Sequence, residues 1–307
     1  MHRLQQSSTG LLWLLAGGLI MRRLLRRKTT LQDKVVIVTG ASAGIGRATV
    51  RVLAAQGAKV VLAARREAAL NTVKEEIAAT RHGPAALVVP ADITDEAARQ
   101  QLIERTLAAF GRVDVLVNNA GLSMGGPLDE QDSDTLLKML DLNFTAAIRL
   151  TQIVLPHMLA QNSGHIVNIS SVAGYALAMG QSAYAGTKAG LNGFSHALRR
   201  DLLRTNVNVS IIAPGWTYTD MMGELDLDAM REVGLLWPPF LILDTAEVVA
   251  KAITDAVRYN RAEVMLGGVG FKMIALLHRL SPRLSDLAQQ IYFRNHKRYM
   301  DVIRTLG

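Results

Sequence analysis

The sequence predicts one doubly wound α/β domain, a parallel sheet with helices on both faces, flanked by a short N-terminal segment and a helical tail. Three observations predict it. Short β-branched runs alternate with helix-length stretches from Lys34 to about residue 266. These runs are apolar at successive residues, as strands covered on both faces must be. The first run also leads straight into a glycine-rich turn and a helix. The chain therefore divides into an apolar and basic segment at 1–32, an α/β domain at 33–270 and a tail at 271–307.

Taken in order, the periodicity predicts a strand at 35–38, a helix at 45–56, a strand at 59–63 and a helix at 67–80. Strands follow at 86–89, 113–117, 165–170 and 208–212, and a last one ends at Leu266. From Phe271 onward, apolar residues mix with Arg279, Arg283, Arg294, Lys297 and Arg298 in two amphipathic helices interrupted at Ser281-Pro282. Such a tail could lie on a membrane, cover the active site or pack on a second subunit.

Half of the residues are hydrophobic and only 5% are aromatic, so the core is mostly aliphatic. The absence of cysteine excludes disulfides and thiolate chemistry. Seven histidines are scattered without ligand spacing, which predicts no metal site. Of the net charge of +8, residues 1–34 carry +6 and residues 271–307 carry +5, leaving −3 for the body. A folded part with that sign is not expected to bind nucleic acid.

The run Leu11–Met21 is apolar and uncharged, and Arg22-Arg23-Leu24-Leu25-Arg26-Arg27-Lys28 follows it. Eleven helical residues reach about 17 Å, against a hydrocarbon core of about 30 Å. The heavier charge lies after the apolar run and no cleavage site follows, which argues against a secretory signal. An interfacial anchor at 11–28 fits, with Trp13 in the headgroup region and arginines on anionic phosphates. The competing reading is an ordinary docking helix. The expected location is a membrane with the α/β domain on its cytoplasmic side, and soluble cytoplasmic protein is the alternative.

The first strand enters Thr39-Gly40-Ala41-Ser42-Ala43-Gly44-Ile45-Gly46. Strand, glycine turn and helix bring backbone N–H groups and a helix N-terminus to an anionic diphosphate, which predicts dinucleotide binding. The second strand ends Ala64-Arg65-Arg66, with no acid to hold a ribose 2′-hydroxyl. Arginine instead suits a 2′-phosphate, so NADP(H) is the expected cofactor, Arg65 its first contact and Arg66 its second. Tyr184 and Lys188 are four residues apart in a helix-forming run, hence on one face. An ammonium there lowers a phenol's pKa and makes it a proton-transfer group.

Thr39-Gly-x-x-x-Gly44-x-Gly46, Asn118-Asn119-Ala120-Gly121, Asn143, a serine thirteen residues before Tyr184, and Tyr184-x-x-x-Lys188 stand in one order. Over about residues 33–270 this set resembles the short-chain dehydrogenase/reductase family, whose fold is Rossmann-type. The resemblance implies that Tyr184 is the acid/base and that Lys188 tunes it and holds the nicotinamide ribose. It implies that Ser171, chosen over Ser170 on spacing, binds the substrate oxygen, and that Asn143 supports a water relay. It further implies cofactor contacts at Gly40, Ser42, Gly44, Ile45, Gly46, Asp92, Ile93, Asn119, Pro214, Gly215, Thr217 and Thr219. Asn118 and Gly121 have an alternative role in stabilising the sheet. The helical stretches 136–160 and 190–203 resemble those through which family members form homodimers or homotetramers.

Residues 220–244 follow the Pro214-Gly215 loop and contain Leu235-Leu236-Trp237-Pro238-Pro239-Phe240-Leu241-Ile242-Leu243. An apolar lid there implies a lipophilic secondary alcohol, ketone or aldehyde, such as a steroid, retinoid or acyl chain. It also reads as a membrane-docking surface or as core. The alternative to an NADP-dependent oxidoreductase is an inactive NADP-binding scaffold or redox sensor at a membrane, and the intact Asn143, Ser171, Tyr184 and Lys188 argue for the enzyme.

Overall fold

The computed structural model describes residues 29–79, 85–175, 180–219, 244–292 and 300. The chain divides into two units after Thr30, and the fold described below is that of the unit beginning at Leu31. The expected anchor at 11–28 and nearly all of the expected lid, 220–243, lie outside the described residues.

The strands are β1 (Val35–Thr39), β2 (Lys59–Ala64), β3 (Ala86–Pro90), β4 (Val115–Asn118), β5 (Gly164–Ile169), β6 (Val207–Ala213), β7 (Thr217–Tyr218), β8 (Asp244–Thr245) and β9 (Glu263–Met265). Seven form one sheet in the order β3-β2-β1-β4-β5-β6-β9, with every neighbouring pair parallel. β7 and β8 pair separately, Thr217 opposite Asp244 and Tyr218 opposite Thr245. That small pair carries no periodicity and is not anticipated by the sequence.

Successive side chains of β1 go to opposite cores, as the pleat requires. Val36 and Val38 join Val50 and Leu53 of α1 (Gly44–Ala54), Leu70 and Ile77 of α2 (Glu67–Ala78), and Val249 and Ile253 of α7 (Ala246–Tyr259). Val35 and Ile37 join Leu102 of α3 (Glu96–Phe110), Leu150 and Met158 of α5 (Ala146–Ala160), and Leu198 of α6 (Ser182–Asp201). Each fully buried aliphatic side chain contributes about 1.5–3 kcal/mol before entropy is subtracted. Continuously apolar strands are the direct consequence of having both faces covered.

β4 begins two residues later than the hydropathy predicts. The Val113 N–H and C=O are taken by the Gln161 side chain, at 3.1 and 2.9 Å, so they are not part of the ladder. Asp114 then fastens the strand starts, accepting from the Val35 N–H at 3.0 Å, Lys34 Nζ at 2.9 Å and Arg112 Nη2 at 2.7 Å. Burial pushes its carboxyl up, but these bonds outweigh it and hold the pKa below the usual range.

The tail also starts earlier than predicted. Gly267 and Gly268 have φ of 82° and 90°, the left-handed region open to glycine. They turn the chain from β9 into α8 (Val269–Leu280), and α9 (Pro282–Tyr292) follows after Ser281. A boundary at 270/271 thus falls inside α8, whose Phe271 is buried. Among the described residues no helix is long and apolar enough to cross a membrane.

Candidate active site

The chain leaves β1 towards β2 and leaves β4 towards β5, so a crevice opens where their carboxyl ends diverge. Thr39 holds this point together. Its hydroxyl donates to the Val117 carbonyl at 3.3 Å and accepts from the N–H groups of Asn119 and Ala120 at 2.9 and 3.0 Å. Asn119 Nδ2 donates to the Thr39 carbonyl at 2.8 Å. The polar capacity of the threonine hydroxyl is thereby filled.

Glycine is required immediately after it. Gly40 has φ of 67°, and a Cβ there would lie 2.9 Å from Asn119 Nδ2. At Gly46 a Cβ would lie 2.1 Å from the Gly40 carbonyl oxygen, so α1 packs against its own turn only without a side chain. The residue before α1, Ala43, makes no side-chain cap. The first-turn N–H groups of this helix therefore remain available to an anion at the cleft wall.

Arg65 and Arg66 are exposed at the end of β2, and both line the cleft with Asp92 and Ile93. Arg66 Nη2 donates to Ser42 Oγ at 3.2 Å, at the rim of the glycine turn. Asp92 accepts from the Thr94 N–H and hydroxyl at 3.0 and 2.7 Å. Burial raises the Asp92 pKa, but those two bonds and the Arg65 charge outweigh it and leave the pKa lowered. Buried Arg99, which sequence reasoning passed over, fixes this turn by donating to the Ile93 and Thr94 carbonyls at 2.7 and 2.8 Å.

At the other end stand Ser171, Tyr184 and Lys188. Tyr184 and Lys188 share one face of α6, with Nζ 5.7 Å from the tyrosine ring centre. Ser171 lies in the loop after β5, where its side chain accepts from the Ala173 N–H at 3.1 Å, and it lines the cleft with Tyr184 and Lys188. Ser170 instead donates to the Lys188 carbonyl at 3.3 Å, which makes it a brace for α6. Lys188 Nζ donates to the Ile169 carbonyl at 3.0 Å.

The expected pKa direction for Tyr184 is reversed. Burial pushes the phenol up, with the nearby Ser171 hydroxyl acting the other way, and burial brings Lys188 down to about 8. Removal of water disfavours the charged form of each group, which raises a phenol's pKa and lowers an ammonium's.

Asn143 lies in a π-helical turn, Asp141–Thr145, between α4 (Ser133–Leu140) and α5. Such one-turn bulges often mark functional sites. Its side chain exchanges two bonds with Leu122, each 2.8 Å, and Nδ2 also reaches Thr187 Oγ1 at 3.3 Å. A Cβ at Gly121 would lie 3.2 Å from Asn143 Oδ1 and 3.6 Å from Lys188 Nζ, so both converge on this glycine. Asn118 points away into the core, bonded to Asn168 and Thr151 at 2.8 and 3.1 Å, and stabilises the sheet.

Pro214, Gly215, Thr217 and Thr219 border the same cleft, as do Gly44 and Ile45. Thr217 Oγ1 donates to the Gly215 carbonyl at 3.1 Å, and Thr219 packs over Gly44. Phe271 also lines it, and a Cβ at Gly215 would lie 3.1 Å from that ring. Phe271 has no motif to announce it; only burial of an apolar residue in a basic tail singles it out.

The short chain dehydrogenase family profile matches residues 34–229. The chain belongs to the short-chain dehydrogenase family. It is 34% identical to dehydrogenase/reductase SDR family member 7B of Mus musculus over 287 residues, 91% of this chain and 88% of that one. It is 36% identical to an uncharacterized oxidoreductase of Staphylococcus saprophyticus over 203 residues, 66% of this chain and 86% of that one. Among solved structures, that of levodione reductase matches with a TM-score of 0.72 and 29% identity, covering 78% of this chain and 98% of that one.

As a short-chain dehydrogenase the protein is an oxidoreductase of a family that uses NAD(P)(H). The residues fit that group. The cleft, about 820 Å³, runs from the arginines past the glycine turn and the uncapped start of α1 to Tyr184 and Lys188. The close contacts at Gly40 and Gly46 let backbone approach a diphosphate.

Proposed function

We propose that this short-chain dehydrogenase is NADP(H)-dependent and interconverts a lipophilic secondary alcohol with its ketone, or a primary alcohol with its aldehyde. The observation that carries the reading is one continuous cleft with an arginine pair at one end and Ser171, Tyr184 and Lys188 together at the other. In this reading Arg65 and Arg66 hold the 2′-phosphate, and no acid stands at the end of β2 to prefer a free ribose hydroxyl. Asp92 and Ile93 meet the adenine, Asn119 lines the middle of the cleft, and Thr217 and Thr219 meet the carboxamide side. Ser42, Ile45 and the first turn of α1 take the diphosphate.

When bound, NADP(H) supplies or accepts the hydride. Ser171 holds the substrate oxygen, and Tyr184 delivers a proton to it in reduction or removes one in oxidation. Burial keeps Tyr184 protonated, which is the form that reduction consumes. Lys188 holds ribose hydroxyls and is re-protonated through a water supported by Asn143. Acid/base help of this kind gives about 10²–10⁴ in rate, and positioning with oxyanion stabilisation supplies the rest.

The lipophilic substrate rests on the apolar composition of 220–243. Membrane association through residues 11–28 rests on their apolar and basic pattern. Self-association through α4, α5 and α6 is favoured by exposed Leu137, Leu159 and Leu203 on or beside those helices.

The test compares Tyr184→Phe and Arg65→Ala with the native protein, following NADPH absorbance over a panel of hydrophobic ketones. Tyr184→Phe should keep NADPH binding and lose turnover. Arg65→Ala should weaken NADP by about ten- to a hundredfold, as expected for a charge-assisted phosphate contact, and leave NAD nearly unchanged. Equal loss for both nucleotides removes the arginine from that role.

A further inference from the structure

α8 carries Val269, Met273, Leu276 and Leu280 at spacings of four, three and four residues, a narrow stripe along one side of the helix. All four are exposed, from 49% at Leu276 to 75% at Leu280. α9 adds exposed Leu284 and Leu287. The inner side of α8 is committed to the domain, because Gly270 and Phe271 are buried and Phe271 closes the cleft beside Gly215. Beside the apolar row runs a basic one, Lys272 and Arg279, also exposed and seven residues apart. α8 contains no acid, and α9 adds Arg283 with one acid, Asp286.

An apolar stripe on an exposed helix asks for an occupant, and the charges choose it. A second copy packed stripe to stripe would bring two basic rows together. Residues 1–34 carry the same sign and do not complement the row. A surface that accepts leucine and methionine while presenting negative charge beside them is the headgroup region of an anionic bilayer.

We infer that α8 and the start of α9 form a second membrane-docking surface, which lies on anionic lipid with Val269, Met273, Leu276, Leu280, Leu284 and Leu287 inserted and Lys272 and Arg279 at the phosphates. This rests on the membrane-associated reading above and extends it to a structurally defined face of the domain. Because Phe271 of the same helix lines the cleft, the docked helix separates lipid from the cofactor loop by the thickness of one helix.

The chain has no cysteine, so Leu280→Cys in the full-length protein gives a single site for an environment-sensitive fluorophore. Lys74→Cys, exposed on α2, is the control. Each labelled protein, saturated with NADPH, is mixed with phosphatidylcholine vesicles or with phosphatidylcholine–phosphatidylglycerol vesicles, and flotation is measured in the same samples. The expected result is a blue shift at position 280 with the anionic vesicles, quenched by brominated acyl chains, with none at position 74. Adding Lys272→Gln and Arg279→Gln should abolish the shift at 280 while the protein still floats through residues 11–28. A protein that floats while the label at 280 stays as in buffer overturns the inference and leaves the N-terminal anchor standing. Failure to float at all overturns both. A blue shift that depends on protein concentration without vesicles assigns the face to a second copy and also overturns it.

Discussion

Replacing Lys188 by Met should stabilise the protein at neutral pH while removing its activity. Lys188 is 5% exposed, and burial lowers its pKa from an ordinary 10.5 to about 8. The folded value lies below the unfolded one, so between these limits the unfolded chain binds the extra proton. Stability therefore rises with pH across that window and is lost as pH falls through about 8. At pH 7 the difference amounts to about 3 kcal/mol against folding, at 1.36 kcal/mol per unit. Met fills nearly the same volume without the charge but cannot donate to the Ile169 carbonyl, which forfeits about 1 kcal/mol. A net gain of about 2 kcal/mol remains, or roughly 4–8 °C in Tm for a domain of this size. By pH 9.5 the charge penalty falls to roughly 1 kcal/mol, so the gap between variant and native protein should nearly close. Thermal unfolding of both proteins at the two pH values checks this. A variant that melts at or below the native protein at pH 7, or a gap that does not change with pH, refutes the claim that a destabilising buried charge is held at this site.

Other outcomes follow from the same geometry. Reduction should lose kcat/KM as pH rises through about 8, where Lys188 gives up its charge, and a profile flat to pH 10 would count against that residue's role. Gly46→Ala should abolish dinucleotide binding, measured by calorimetry, because its Cβ would collide with the Gly40 carbonyl. Asp114→Ala should cost about 3 kcal/mol in urea unfolding, since it strands Lys34 and Arg112 and leaves the Val35 N–H unpaired. Native stability should also drop in acid as Asp114 is protonated, and Asp114→Ala should lack that component.

The sheet was legible because burial on both faces writes itself into the sequence as continuous apolar runs, and the predicted strand positions lie within two residues of the observed ones. The break between the two tail helices was legible for another reason, since Ser281-Pro282 is local chemistry that no tertiary contact overrides. What escaped was long-range. Gln161 takes the Val113 backbone from across the fold, and Phe271 reaches the Gly215 loop from a tail that reads as separate. The π turn at Asn143 is a backbone register change with no side-chain signature. In the site, Tyr184 and Lys188 were found by spacing, but their pKa directions depend on how much water the fold removes, which spacing does not encode.

The short pairing of Thr217–Tyr218 with Asp244–Thr245 sets the two feet of residues 220–243 side by side on the scaffold. Whatever is inserted between them meets the same pair of hydrogen-bonded posts, and doubling its length costs only about 0.6 kcal/mol in closure entropy. The sheet, the glycine turn and the Tyr184 helix can therefore keep their places while that stretch is exchanged for one of another length and polarity. Under the function proposed above, a new substrate preference is thus reachable by grafting, with the reaction machinery left as it is.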